Sequence, residues 1–121
     1  MAARRGGGVS ATLSTHVLDT AHGRPAGGIA VTLLDGGGVA MFEGVTDADG
    51  RCPALAALRL PPGRHALRFA VADYFHGQGV ALADPPFLDR VTVDFGIARD
   101  GGHYHVPLLV SPYGYSTYRG S

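Results

Sequence analysis

Arg90-Val-Thr-Val-Asp-Phe95 is the clearest amphipathic strand in the chain. Arg90, Thr92 and Asp94 alternate with Val91, Val93 and Phe95, leaving one polar face and one apolar face. Successive side chains of a strand point to opposite faces, so this two-residue period is that of a half-buried strand. The same alternation recurs on both sides of the stretch. Upstream, residues 64–72 place Leu67, Phe69 and Val71 inward, and a short strand is expected at 52–58, closed by Pro61-Pro62-Gly63. Residues 39–46 and 28–34 read as two more strands, the second carrying Ile29, Val31 and Leu33. In the first strand, Val9, Ala11, Leu13, Thr15 and Val17 fall on one parity, and Ser10, Thr12, Ser14 and His16 on the other. Downstream, residues 103–111 and 114–119 form a final pair around Ser111-Pro112.

Turn chemistry separates these runs: Gly23 and Pro25 within residues 19–27, Asp35-Gly-Gly-Gly38, Asp47-Ala-Asp-Gly50 and Asp84-Pro-Pro86. Tyr74-Phe-His-Gly-Gln-Gly79 breaks the alternation and reads as one or two helical turns near 74–80, weakened by its glycines. About eight short strands at regular spacing, without helical periodicity or an internal repeat, predict an all-β sandwich or barrel. Alternating rather than continuously apolar strands predict antiparallel sheets, each with one solvated or interface face.

A chain of 121 residues suits one domain with one core. The expected division is a disordered leader at residues 1–8 and a single domain over 9–121. A formal net charge of zero gives no electrostatic footprint for nucleic acid or an anionic membrane. All ten basic residues are Arg, which reads as compositional bias. Cys52 is the only cysteine, so no intrachain disulfide forms, and it reads as small core filler. Basic residues near the N-terminus are followed by alternation rather than by an apolar run, so neither a signal peptide nor a membrane span is expected.

Histidines on polar faces are the candidates for chemistry. His16 lies on the Ser/Thr face of the first strand. His103 and His105 share one face of a late strand, opposite Val106, Leu108 and Val110. Imidazole titrates near neutral pH and can take and return a proton. Arg51, directly after a turn, is a fixed cation with five donors, suited to a carboxylate or a developing oxyanion. Each of these is also an ordinary surface residue on composition alone. His16, His103 and His105 supply enough nitrogens for zinc, but with no Cys or carboxylate partner the pattern is not specific and no metal or other cofactor is expected. His65 shares parity with Leu67 and Phe69 and reads as a hydrogen-bonded core or edge residue; His22 and His76 receive no role. Despite 19 glycines, no nucleophile elbow, Walker loop or dinucleotide fingerprint occurs. The chain closes on Tyr113-Gly-Tyr-Ser-Thr-Tyr-Arg-Gly-Ser121, an aromatic end where most chains are frayed and polar.

Leu13-Ser-Thr-His-Val-Leu-Asp19, Thr46-Asp-Ala-Asp-Gly-Arg51, His103-Tyr-His-Val-Pro-Leu-Leu109 and Tyr118-Arg-Gly-Ser121 occur in one order. Together they resemble the 5-hydroxyisourate hydrolases, the transthyretin-related enzymes of urate degradation, from about Ser10 to Ser121. The closing tetrapeptide separates these enzymes from transthyretin, the hormone carrier. The resemblance implies a transthyretin-like (prealbumin-like) sandwich of two four-stranded antiparallel sheets with one short helix. It implies a homotetramer, a dimer of dimers, with substrate clefts in the channel between dimers. It also implies hydrolysis of 5-hydroxyisourate at its N1–C6 amide, giving 2-oxo-4-hydroxy-4-carboxy-5-ureidoimidazoline. His16, Arg51 and His105 carry over as catalytic, and Tyr118, Arg119, Gly120 and Ser121 as substrate-binding. Nucleic acid and membrane are not expected as partners, and the cytoplasm is the expected location. A carrier of transthyretin type, a zinc-dependent site in the same place and a purely structural sandwich stay open at this point.

Overall fold

The computed structural model describes residues 9–121; the leader expected at residues 1–8 lies outside them. In chain order the elements are β1 (Ala11–Ser14), β2 (Val17–Asp19), β3 (Arg24–Pro25), β4 (Ala30–Asp35), β5 (Ala40–Val45), a 3-10 helix (Pro53–Ala57), β6 (Gly63–Phe69), α1 (Val71–Gly77), β7 (Val91–Ile97), β8 (Gly102–His105), β9 (Leu108–Ser111) and β10 (Gly114–Thr117). One sheet has the order β5-β4-β6-β7 and is antiparallel throughout. The other has the order β10-β9-β2-β3, and the pair β1-β8 extends it. Ser14 stands opposite His105 and Val17 opposite Leu108, the same register on both sides of a short interruption. The Val106 amide donates to the Ser14 carbonyl at 2.9 Å and the Leu108 amide to the His16 carbonyl at 3.0 Å across that interruption. Residues 11–19 and 102–110 therefore run side by side as two nearly continuous strands.

The parities read from the sequence set the core. Leu13, Val17, Leu108 and Val110 from one sheet meet Val31, Leu33, Leu67 and Phe69 from the other, each at most 1% exposed. Truncating such a side chain, Leu67→Ala for example, costs about 2–5 kcal/mol. Cys52 is buried beside this cluster, as filler. His65 is buried, stacked on Phe95, with Nδ1 3.2 Å from the Gly63 carbonyl oxygen, in agreement with its reading as a hydrogen-bonded core residue.

The sandwich agrees with expectation, and four details differ. The β1–β8 and β2–β9 pairings are parallel, not antiparallel. Alternation reports that a face is wet, not which way the neighbour runs, and these neighbours lie at opposite ends of the chain, joined through the other sheet. The strand expected at 52–58 is the 3-10 helix: Pro53 sits in its first turn, and the Leu55 amide donates to the Cys52 carbonyl at 3.0 Å. The helix expected near 74–80 starts earlier, at Val71, and ends at Gly77. Val71 is fully buried as expected, but as the first helical residue rather than within the strand expected over 64–72, which ends at Phe69. The late strand breaks at Val106-Pro107 into β8 and β9, and β10 ends at Thr117 rather than at residue 119.

Candidate active site

The outer face of the parallel pair carries the candidate chemistry. Thr12, Ser14 and His16 project from one strand, and His103 and His105 from its neighbour. Their odd-numbered strand mates Ala11, Leu13, Thr15 and Val17 are buried, and so are Tyr104, Val106 and Leu108 on the second strand. Period-2 geometry thus separates core from site with no further device.

Arg51 reaches this face through its turn. The Asp47 carboxylate accepts the Asp49 amide at 2.9 Å and the Arg51 amide at 3.0 Å, and the Val17 amide donates to the Gly50 carbonyl at 2.8 Å. Gly50 has φ +78°, and a Cβ there would strike the Val17 carbonyl oxygen, so only glycine fits. The turn then places Arg51 opposite His16 in an antiparallel bridge. The Arg51 guanidinium touches the Asp49 carboxylate at 3.2 Å, an exposed pair of little energetic weight that leaves the cation available.

The C-terminal segment folds back over His105. The Gly120 amide donates to the His105 carbonyl at 2.8 Å. A methyl group at Gly120 would fall on His105 Cδ2 and lie 3.1 Å from Cγ, so this close approach also needs glycine. Arg119 donates to the His103 carbonyl at 3.2 Å, with its guanidinium 4.1 Å from the Tyr104 ring centroid. Tyr118 points elsewhere, into an open, mostly apolar groove with Val93, Phe95, Tyr104 and Val106, and is 60% exposed. Ser121 ends the chain exposed. Of the seven residues singled out, the structure gathers His16, Arg51, His105 and Gly120. Arg119 serves as a clamp from behind, and Tyr118 lies on the groove.

The electrostatics favour a neutral His105. Burial first, then the Arg51 cation, His103 and His16, hold its ring below the ordinary value of 6.5. His16 Nε2 is buried without a hydrogen-bond partner, a donor or acceptor position open to something that binds there. Ser14 and Thr12 were visible only as the polar parity of the first strand. Ser14 Oγ lies 2.7 Å from His105 Nδ1 and 2.9 Å from His103 Nε2, and Thr12 Oγ1 lies 2.7 Å from His103 Nδ1. The signal that could have found them is the shared register of the two strands, which a single sequence does not carry. Among the described residues no group of three or more His, Cys, Asp or Glu side chains is placed to hold a metal ion.

A sandwich of this topology with a histidine–arginine face defines a class, and comparison with known proteins gives it a family. Residues 13–120 match the family model described as HIUase/Transthyretin family, and the chain belongs to that family. It is 54% identical over 114 residues to a Mesorhizobium japonicum protein named 5-hydroxyisourate hydrolase, covering 90% of this chain and 91% of that one. Among solved structures, the Klebsiella pneumoniae 5-hydroxyisourate hydrolase superposes with a TM-score of 0.78 at 39% identity, covering 92% of this chain and 94% of that one. Sea bream transthyretin in complex with thyroxine also superposes with a TM-score of 0.78, at 30% identity, covering 89% and 93%.

Proposed function

We propose that this chain hydrolyses 5-hydroxyisourate to 2-oxo-4-hydroxy-4-carboxy-5-ureidoimidazoline by attack of a His-activated water, with Arg51 stabilising the anion. The observation that carries this reading is the meeting of His105, His16 and Arg51 on one sheet face under the folded-back Gly120. A neutral His105 takes a proton from water as the oxygen attacks the C6 carbonyl. The Arg51 guanidinium, fixed by its turn, meets the negative charge that grows on the carbonyl oxygen. The N1–C6 bond breaks, the nitrogen receives the proton taken from water, and the acid product leaves as a carboxylate. No covalent enzyme intermediate is required. The unpartnered Nε2 of His16 supplies a further hydrogen bond to water or substrate. Arg119 and Gly120 hold the closing tetrapeptide against the site, with Tyr118 on the adjoining groove and Ser121 at the open rim.

The working form is a homotetramer, a dimer of dimers. Two edge strands, β7 and β10, flank the open groove lined by the half-buried Phe95 and the exposed Tyr118, and an uncapped strand edge is a template for a second copy. The histidine faces of two such dimers then enclose the substrate channel. No helix among the described residues is long and apolar enough to cross a membrane, and the cytoplasm is the location that fits a pathway enzyme. A transthyretin-type carrier shares the sandwich, but a channel lined by imidazole, hydroxyl and guanidinium groups suits a polar, reacting substrate better than an apolar hormone.

Arg51→Ala and His105→Ala test the roles. Turnover is expected to drop by about tenfold or more in each, with the assembly unchanged by sedimentation. A near-normal rate in either variant removes that residue from the mechanism.

A further inference from the structure

Behind His105 runs a chain of side chains that takes no part in the proposed hydrolytic step. Thr12 Oγ1, the two nitrogens of His103, Ser14 Oγ and His105 Nδ1 follow one another at 2.7, 2.9 and 2.7 Å. A hydroxyl has one proton to donate, so Ser14 cannot donate to both rings at once. When its one proton is used within the chain, it donates to one ring and accepts from the other, which gives the chain two directions. In the first, Ser14 donates to His105 Nδ1, and the His105 proton sits on Nε2. In the second, His105 Nδ1–H donates to Ser14, Ser14 donates to His103 Nε2, and His103 Nδ1–H donates to Thr12. Only the second leaves a lone pair on His105 Nε2, as a base requires.

We propose that Ser14 and His103 are positioning residues that act through His105: they select the ring form with a free Nε2 and receive the Nδ1 proton once Nε2 is protonated. The step balances as a proton relay. Nε2 of His105 takes a proton from water; Nδ1–H passes to Ser14 Oγ while the Ser14 hydroxyl proton passes to His103 Nε2. His105 ends neutral with a proton on Nε2, ready to give it to the leaving nitrogen, and His103 ends as the cation. Return of the proton along the same path restores the start. The direction follows from where a positive charge is tolerated. His105 is partly buried, with Arg51 and His16 beside it, whereas His103 is exposed on the rim next to Thr12, where water screens its one near cation, the Arg119 guanidinium that donates to the His103 carbonyl. Moving the charge from His105 to His103 takes it from a partly buried position near Arg51 to an exposed one, where solvent screens the Arg119 cation.

This inference rests on the hydrolase reading, and the test separates the two. Ser14→Ala, Ser14→Thr and His103→Phe are compared with the parent chain in kcat, KM, the pH–rate profile and the ring signals of 15N-labelled histidines. In the parent chain His105 is expected as a Nδ1–H ring, and in Ser14→Ala as a mixture of tautomers. Ser14→Ala and His103→Phe should lower kcat on the order of tenfold, with KM within about twofold. Their acid limb should move, and Ser14→Thr, which keeps the hydroxyl, should recover most of the rate. Unchanged His105 ring signals in Ser14→Ala, a loss carried by KM, or a Thr variant no better than Ala each overturn the relay. If the parent chain itself does not accelerate the decay of 5-hydroxyisourate, the hydrolase reading fails, while the ring spectra still decide whether Ser14 sets the His105 tautomer.

Discussion

His105 sits where a neutral imidazole is favoured over a cation, because burial and the Arg51, His103 and His16 charges all act against protonation. A base must be unprotonated, so activity should stay on its plateau as pH falls past 6.5 and decline only through the lower folded value. Arg51→Ala removes one of the opposing charges. Besides its lower turnover, its residual activity should begin to fall at a higher pH than the parent chain's, and an unmoved acid limb would show that Arg51 does not act on His105. Gly120 offers a second test. A methyl group there falls on the His105 ring, so Gly120→Ala should displace the tail and lower kcat/KM by about tenfold, with thermal stability hardly changed. The tail is exposed and carries little of the core. Unaltered kinetics in that variant would mean that the tail does not form part of the pocket.

Among the elements, α1 is tied to the sandwich by one buried carboxylate. Asp19, at the end of β2, accepts the Tyr74 hydroxyl at 2.7 Å and lies 2.6 Å from His22 Nδ1, and its other oxygen accepts the His22 amide at 3.0 Å. Burial raises the Asp19 carboxyl, but the hydrogen bonds from His22 and Tyr74 outweigh it and hold the group below its ordinary 3.8. Burial and the same carboxylate push the Tyr74 phenol up to about 12, so it stays a donor at any working pH. A carboxyl with a lowered folded value stabilises above its ordinary value and loses that contribution as pH falls through the folded one. Asp19→Asn should therefore cost about 1–3 kcal/mol in denaturant unfolding at neutral pH. The gap to the parent chain should narrow at about pH 2. An equal gap at both pH values would show that the charge on Asp19 does not stabilise the fold. The elements also mark what one sequence can and cannot give. Inward parities at Leu13, Val31, Leu67 and Phe69 were legible because alternation is a local property. The parallel pairing of Ser14 with His105 was not, because register between distant segments is written in no local pattern. Pro53 could have argued against a strand at 52–58, since it cannot donate to a ladder. His16, Arg51 and His105 were recognised through a family likeness; their nearness to one another came only with the folded chain, and Ser14 only with the register.

On the scale of the whole molecule, the unpaired edges of β7 and β10 and the groove between them are the surfaces on which the proposed tetramer depends. Tyr115, in the middle of β10, is 48% exposed. A carboxylate there would be desolvated in any edge-to-edge pairing of two copies, so Tyr115→Glu should sediment as a smaller species and lose activity in proportion. An intact tetramer in that variant would place the contact elsewhere. The proposed reaction is tested by the decay of 5-hydroxyisourate followed by ultraviolet absorbance, with the substrate generated in place from urate and urate oxidase. The compound decays unaided, so buffer alone is the reference. Catalytic amounts of the chain should accelerate the decay markedly, and His105→Ala should return it toward the buffer rate. A folded parent chain that leaves the decay at the buffer rate would contradict the hydrolase and favour a carrier built on the same sandwich.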